Sequence, residues 1–385
     1  MEASMLRAFF CSIAPKALFV VALLIAGCDR SPMLIGFAGP LTGPYSDLGV
    51  HGRNGVQLAM EEINAAGGVA GRRLELLVRD DHGSAEGAVQ ADEEMIRAGV
   101  RAIIGHMTSA QSVAVLPLIQ KSEVVLLSPT TSTPELNGIK DYFFRVQPST
   151  DTAAVALAGY AAREMGLSRL AVVLDMGNRA YTESFYRHFL LTFTDHGGSL
   201  GVLRNIDSGV SPDWVDIALL LDSEEHDGVF AILSARDLAA LAQAMNSQGL
   251  SPSILSSGWA MTEDLLQVGG RTVENIVFAG HTFQERKNPE HIAFQKRYQQ
   301  RFGHSPSFAA AYAYDAMRVL AVALETTKGR RAGLPGALSD IRDFPGLHWP
   351  ITIDLFGDTI SPIYITTVRD GQFVALQQLM PLENQ

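Results

Sequence analysis

"VVLLSPTTSTPEL", residues 124–136, decides how this chain is read. An apolar run with strand character ends at Ser128 and at once meets two prolines. Between Pro129 and Pro134 stand four hydroxyl side chains, Thr130, Thr131, Ser132 and Thr133. Proline and hydroxyl residues build turns, so a surface loop is one account of the run. A pocket for a carboxylate or small anion is the other. The surrounding segments discriminate between them.

Strand-like and helix-like segments alternate outward from this point. Upstream lie "MLIGFAG" (33–39), a helical stretch over 49–68 closed by Gly67 and Gly68, and "RRLELLVRDD" (72–81). A helix with Ser84 at its N-cap follows, then "VRAIIGH" (100–106), then "SAQSVAVLPLIQKS" (109–122), where Pro117 is expected to kink the helix. The alternation restarts after Pro148 with a helix, "SRLAVVLDM" (168–176), a helix over 181–198, "DGVFAILS" (227–234), a helix over 236–249 and "SPSILSSG" (251–258). "ENIVFAG" (274–280) precedes two more helices, and 349–376 reads as strands joined by glycine turns. Such alternation argues for parallel α/β sheets. The chain has 385 residues, 47% of them hydrophobic, which supports two cores. Boundaries fall near 147–149, 280–283 and 349–350, where strands run into polar, proline-containing chain.

The first 28 residues are read apart from the fold. Arg7 and Lys16 precede the apolar run Ala17–Gly27, which is short for a membrane span and ends in small residues before Cys28. "IAGC" (25–28) resembles the bacterial lipobox. The resemblance implies cleavage after residue 27, lipid on Cys28 and an extracytoplasmic, membrane-anchored protein, with Asp29 resembling an inner-membrane retention signal. Loss of Glu2, Arg7 and Lys16 takes the formal charge from −11 to −12. Cys11 leaves with the leader, so no intrachain disulfide is expected. The acidic balance argues against nucleic acid.

Enzyme signatures are missing. No P-loop, GxGxxG, GxSxG, HExxH or CxxC occurs, and the ten histidines are scattered without i, i+4 pairing. No catalytic residue, metal site or cofactor is expected. Asp80 and Asp81 are read as a solvated strand end, because adjacent strand residues point to opposite faces.

In order, "GFAGPLTGPYSDLGVHGRNGVQLAMEEINAAGGVAGRRLELLVRDD", "IIGHMTSAQSVAVLPLIQKSEVVLLSPTTSTPEL", "FRVQPSTD", "GWAMTEDLLQVGG" and "ITIDLFGD" resemble the periplasmic leucine/isoleucine/valine-binding proteins. The resemblance implies the type I periplasmic binding protein fold. In it two α/β lobes are joined by three crossovers and close on a ligand like a hinge. Lobe one would comprise 33–147 plus 282–349, and lobe two 148–281 plus 350–385. The implied function is the substrate-binding protein of an ABC importer, binding an amino acid, amide or small carboxylate by closure of the two lobes. A monomer beside its permease subunits is expected, and a ligand-sensing regulator of the same fold is the alternative.

By resemblance Ser109 and Ser132 supply hydroxyls to a ligand carboxylate, and Thr108 and Thr130 supply backbone. N-capping is the competing account of Ser109. Tyr45 and Tyr181 match aromatics that cover the ligand from lobe one and lobe two, and Trp259 stands beside them; a surface-loop role is the alternative for the tyrosines. The family's amino-acid binders place a glutamate after a lobe-two strand to hold the ammonium. Here Ser257 or Gly258 takes that position, and Ser234–Ala235–Arg236 stands where a second aromatic is expected. Arg179 and Arg236 are candidates to face the cleft, and Glu263 is the nearest acidic residue. The expected ligand is therefore an amide or carboxylate other than a simple branched-chain amino acid. Replacing Cys28 with Ser is predicted to move the protein from the membrane to the soluble fraction on cell fractionation; retention in the membrane fraction would overturn the lipobox reading.

Overall fold

In the computed structural model, residues 31–210, 212–282 and 288–380 are described. The leader, Cys28 and residues 381–385 lie outside them. The first sheet takes β1 (Met33–Gly39), β2 (Leu74–Asp80), β3 (Ala102–Ile104), β4 (Val125–Ser128) and β5 (Phe143–Arg145) in the order β2-β1-β3-β4-β5. All its pairings are parallel. The helices α1 (Ser46–Ala65), α2 (Ala85–Ala98) and α3 (Ser109–Ser122) connect its first four strands. Capping follows the sequence: Ser84 accepts from the Gly87 N–H, and Gly99 closes α2 with φ of 82°. α3 runs through Pro117 as one helix.

The second sheet is built after α4 (Asp151–Arg163). Its strands are β6 (Arg169–Asp175), β7 (Ser199–Ile206), β8 (Gly228–Ile232), β9 (Ser253–Ser257), β10 (Val277–Gly280), β11 (Ile363–Arg369) and β12 (Gln372–Leu379). The order is β12-β11-β10-β9-β8-β6-β7. β6 to β10 are parallel, and the last two strands form an antiparallel hairpin on the β10 edge. Helices α5 (Arg179–Asp195), α6 (Trp214–Leu221), α7 (Ala235–Ser247) and α8 (Glu263–Gly269) connect these strands. β7 and α6 lie outside the alternation read from the sequence. β7 is a half-exposed edge strand, so its pattern lacks the continuous apolar run of the inner strands.

The chain then returns to the first lobe for α9 (Pro289–Phe302), α10 (Phe308–Thr326) and α11 (Leu334–Ser339). α10 is buried along most of its length and packs on α1. The final return differs from the sequence reading. Residues 349–361 form no strand beyond an isolated bridge between Phe344 and Ile351. The Gly357 carbonyl accepts from the Arg145 N–H at 3.0 Å, and Asp358 pairs with the buried Arg145 guanidinium at 2.7 Å. This stretch is thus tied to the first sheet, and the chain passes to the second sheet between Asp358 and Ile363.

Both sheets carry switch points, between β1 and β3 and between β6 and β8, where neighbouring connections leave in opposite directions. Ligands of open parallel sheets gather beyond the C-terminal strand ends at such points. The α1–α10 contact that frames the first lobe depends on Gly55. A Cβ there would stand 2.1 Å from the Ala310 carbonyl oxygen on α10. Gly55→Ala is predicted to destabilise the fold by roughly 1–3 kcal/mol through overpacking. The check is a denaturant titration, in which an unchanged midpoint would refute the close approach.

Candidate functional site

The strand ends of the two lobes face each other across one tight cleft with about 30 Å³ of water-accessible space. From the first lobe, Thr108 and Ser109 follow β3, and Thr130 and Ser132 follow β4. From the second, Asn178 and Tyr181 follow β6, Trp259 follows β9 and His281 follows β10. Gln147 and Thr150 enter from the first crossover, and Phe308 enters from α10. Its composition, a few convergent polar groups among aromatic and apolar side chains, suits a small organic ligand.

The four hydroxyls of the opening stretch divide their work. Thr130 donates to the Met107 carbonyl at 2.6 Å. Thr131 lies 2.6 Å from the Ser112 hydroxyl, and Thr133 accepts from the Glu135 N–H. These three brace the loop. Ser132 is fully buried and its hydroxyl has no partner in the protein, although its own N–H donates to Ser109 Oγ at 3.3 Å. The side-chain oxygen of Gln147 is buried and unpartnered in the same cleft. Buried polar atoms without partners are uncommon in folded proteins, and here two of them border one cavity. Ser109 is the first residue of α3 and makes no side-chain cap. The first turn of α3 is met instead from the other lobe: Asn178 Oδ1 accepts from the Ala110 N–H at 3.2 Å.

Aromatic rings close the mouth. Trp259 sits between Tyr45 and Tyr181, with ring centroids 5.5 and 5.7 Å away. Tyr45 does not belong to the cavity wall; its hydroxyl crosses the cleft and donates to Asp175 Oδ2 at 2.8 Å. Burial pushes the Asp175 carboxyl up, against hydrogen bonds from Ser208, Gly177 and Tyr45 that favour its charge. The same burial, with the Asp175 charge beside it, pushes the Tyr45 hydroxyl well above the ordinary tyrosine range.

Charge is missing from the wall: among the described lining residues there is no Asp, Glu, Lys or Arg. Arg179 turns to Glu183 at 2.8 Å and Arg236 to Asp264 at 2.9 Å, so the sequence candidates for a cleft cation are spent in exposed ion pairs. Glu263 borders a separate, larger cavity. A side chain at Gly258 would crowd the neighbouring strand, since a Cβ there stands 3.0 Å from the Gly280 Cα.

Beneath the first-lobe loops lies an ion cluster the sequence did not reveal. Asp81, expected at a solvated strand end, is fully buried and lies 2.7 Å from His106 Nδ1. Asp92 on α2 lies 3.2 Å from Nε2 of the same ring, an ion pair bent away from hydrogen-bonding geometry. Asp80 stays nearer the surface and accepts from the Leu41 N–H and the Thr42 hydroxyl. His106 in turn offers its carbonyl to Ser128 at 2.8 Å and to Thr131 at 3.3 Å, so the cluster carries the hydroxyl loop. The signals were present as single residues in three separate segments, and only sheet pairing brings them together.

With the geometry in place, comparison with known proteins is informative. The family model described as periplasmic binding protein matches residues 32–372, and the chain belongs to that family. A curated relative is the Leu/Ile/Val-binding protein BraC3 of Rhizobium johnstonii, 26% identical over 359 residues, covering 90% of this chain and 94% of that protein. Among solved structures, the leucine-binding protein LivK of Thermotoga maritima superposes with a TM-score of 0.81 at 26% identity, covering 91% and 99% of the two chains. A solute-binding protein of an ABC transporter from Rhodopseudomonas palustris BisB5, in complex with 3,4-dihydroxy benzoic acid, shares the fold with a TM-score of 0.81 at 21% identity, covering 91% and 98%. The two-lobed type I fold expected from the sequence is the one observed.

Burial works against a charged His106, but Asp92 and Asp81 outweigh it and push the ring up to about 10 from 6.5. A group whose pKa rises on folding contributes stability that is fully present below its unfolded value and lost through its folded value. Unfolding free energy is therefore predicted to fall between pH 6.5 and about 10 by a His106-dependent component. His106→Gln is expected to lose that component and to cost roughly 3–5 kcal/mol, because two buried carboxylates remain without their cation. Denaturant titrations of both proteins across this range, with equal slopes in the two, would refute the assignment.

Proposed function

We propose that this protein is the extracytoplasmic, lipid-anchored receptor of an ABC importer and that its ligand is a small carboxylate without an ammonium group. We assign lobe one to 33–147 plus 282–358 and lobe two to 148–281 plus 359–380. The observation that carries the ligand class is the uncharged cleft wall with an unpartnered serine hydroxyl at the N-terminal end of a helix. A carboxylate needs donors, and Ser132, Ser109 and the first-turn N–H groups of α3 supply them alongside the helix dipole. An ammonium needs a carboxylate or several acceptors, and burying one beside neutral groups is costly. Ser257 or Gly258 stands where the family's amino-acid binders carry their glutamate, and neither carries a charge. Trp259, Tyr181 and Phe308 give the body of the ligand an apolar, aromatic surround. The family includes a member in complex with 3,4-dihydroxy benzoic acid, so the fold accommodates such acids.

The test is calorimetric titration with leucine, with the oxo acid that replaces leucine's ammonium by a ketone, and with the dihydroxybenzoic acid. At least one of the two acids is expected to bind more tightly than leucine. Ser132→Ala is expected to weaken that binding by about tenfold to a hundredfold, the equivalent of roughly 1.5–3 kcal/mol for a hydrogen bond to a charged group. It should leave the melting temperature of the unliganded protein unchanged or slightly raised, since the lost hydroxyl has no partner there. Submicromolar binding of leucine would overturn the proposal.

A further inference from the structure

His281 stands where the three connections between the lobes meet. It lies in the second crossover, directly after β10. Its Nε2 is 2.9 Å from the Ser149 carbonyl oxygen in the first crossover. Its Nδ1 is 3.1 Å from the Pro362 carbonyl oxygen in the third. Its own carbonyl accepts from the Tyr312 hydroxyl on α10 at 3.2 Å. The residue is buried, 4% exposed, yet it forms part of the cleft wall.

Both ring nitrogens face oxygens that can only accept. A neutral imidazole has one N–H, so one nitrogen would turn its lone pair toward a carbonyl; an imidazolium donates to both. Among the described residues, the Ser361 hydroxyl, 3.3 Å from Nδ1, is the neighbour able to donate to a bare nitrogen, and it also reaches the Pro362 carbonyl. Geometry therefore accommodates both forms: a neutral ring with its N–H on Nε2 and Ser361 donating to Nδ1, and a charged ring that donates to both carbonyls. Burial opposes it and holds the group below the usual histidine range, with the two carbonyls and Asp151 pulling the other way. Among the described residues, Asp151 at the start of α4 is the charge that acts on the ring, with Tyr312 on α10 and Tyr364 on β11, level with Gly280, beside it; the buried Asp315 on α10 is engaged by the Leu347 N–H and Arg318 instead. None of these supplies a buried carboxylate at the ring. An anion in the cleft would supply that counter-charge.

We propose that His281 takes up a proton when a carboxylate enters the cleft, so that ligand and proton bind together and the charged ring then fastens all three crossovers. The inference rests on the carboxylate reading of the site. It makes His281 a determinant of ligand charge: a zwitterion with no net charge gains less from the imidazolium than a simple acid does. It also makes closure and binding one event, because the same ring touches both the cleft and the hinge.

Calorimetry of the wild-type protein with leucine's oxo acid and the dihydroxybenzoic acid, in two buffers of different ionisation heat, counts the protons. Uptake approaching one proton per ligand is expected at about pH 7.5, with affinity rising up to about tenfold for each unit of pH lowered between about 8 and 6. His281→Gln keeps one N–H donor but cannot be charged. It is expected to bind with a flat pH profile and without proton uptake. Binding of either acid by the wild type with no uptake and a flat profile would overturn this inference and leave the ligand class standing. A pH slope retained in full by His281→Gln would overturn it as well. Failure of both acids to bind would overturn the carboxylate reading and this inference with it. Should His281→Gln fail to fold, the proton count on the wild type alone decides.

Discussion

A buried imidazole between two buried carboxylates underlies the first lobe. Asp81 leaves the end of β2, Asp92 comes from α2, and His106 follows β3. Taking either carboxylate out of water without the ring would cost several kcal/mol. With the ring present, the three segments are locked at one depth. The His106 carbonyl then fixes Ser128 and Thr131, and their loop presents Ser132 to the cleft. The neutral face of the site thus stands on a charged foundation. The residues of the cluster stay out of the cleft wall.

The two lobes are joined in three ways that act together. Crossovers link them covalently, and the His281 ring draws the crossovers to one point. Across the mouth, Tyr45 reaches Asp175 and Trp259. At the floor, Asn178 meets the first turn of α3. The first crossover is also tied to the hydroxyl loop, since the Thr150 N–H donates to the Ser132 carbonyl at 2.9 Å. The cleft wall and the first crossover therefore share Gln147 and Thr150, and Thr150 ties them to Ser132.

Much of this architecture was legible in the sequence, for physical reasons that can be named. Inner strands such as "MLIGFAG" are buried on both faces and read as continuous apolar runs. Ser84 caps α2 where the sequence placed it. The hydroxyl loop was legible as a candidate site, but which hydroxyl is free was not. That depends on partners such as Ser112 and Met107, which lie in another segment. Asp81 was misread because strand parity speaks to the faces of a sheet and not to what covers them. His281 gave no signal, since its role arises from the convergence of three chain segments more than 80 residues apart in two of the pairings. Arg179 and Arg236 sat correctly after second-lobe strands, yet acidic neighbours one turn or one helix away claimed them first.

The chain has three tryptophans, and their placement has an optical consequence. Trp259 alone stands between tyrosines of opposite lobes, packed on Tyr45 and Tyr181. Trp214 opens α6 at the far edge of the second sheet, and Trp349 borders a small cavity away from the ligand cleft. Separation of the lobes withdraws Tyr45 from the indole of Trp259 and wets it, while the other two indoles keep their surroundings. The protein thus carries an intrinsic emission reporter at its mouth, red-shifted on opening, that needs no label and follows the motion in real time.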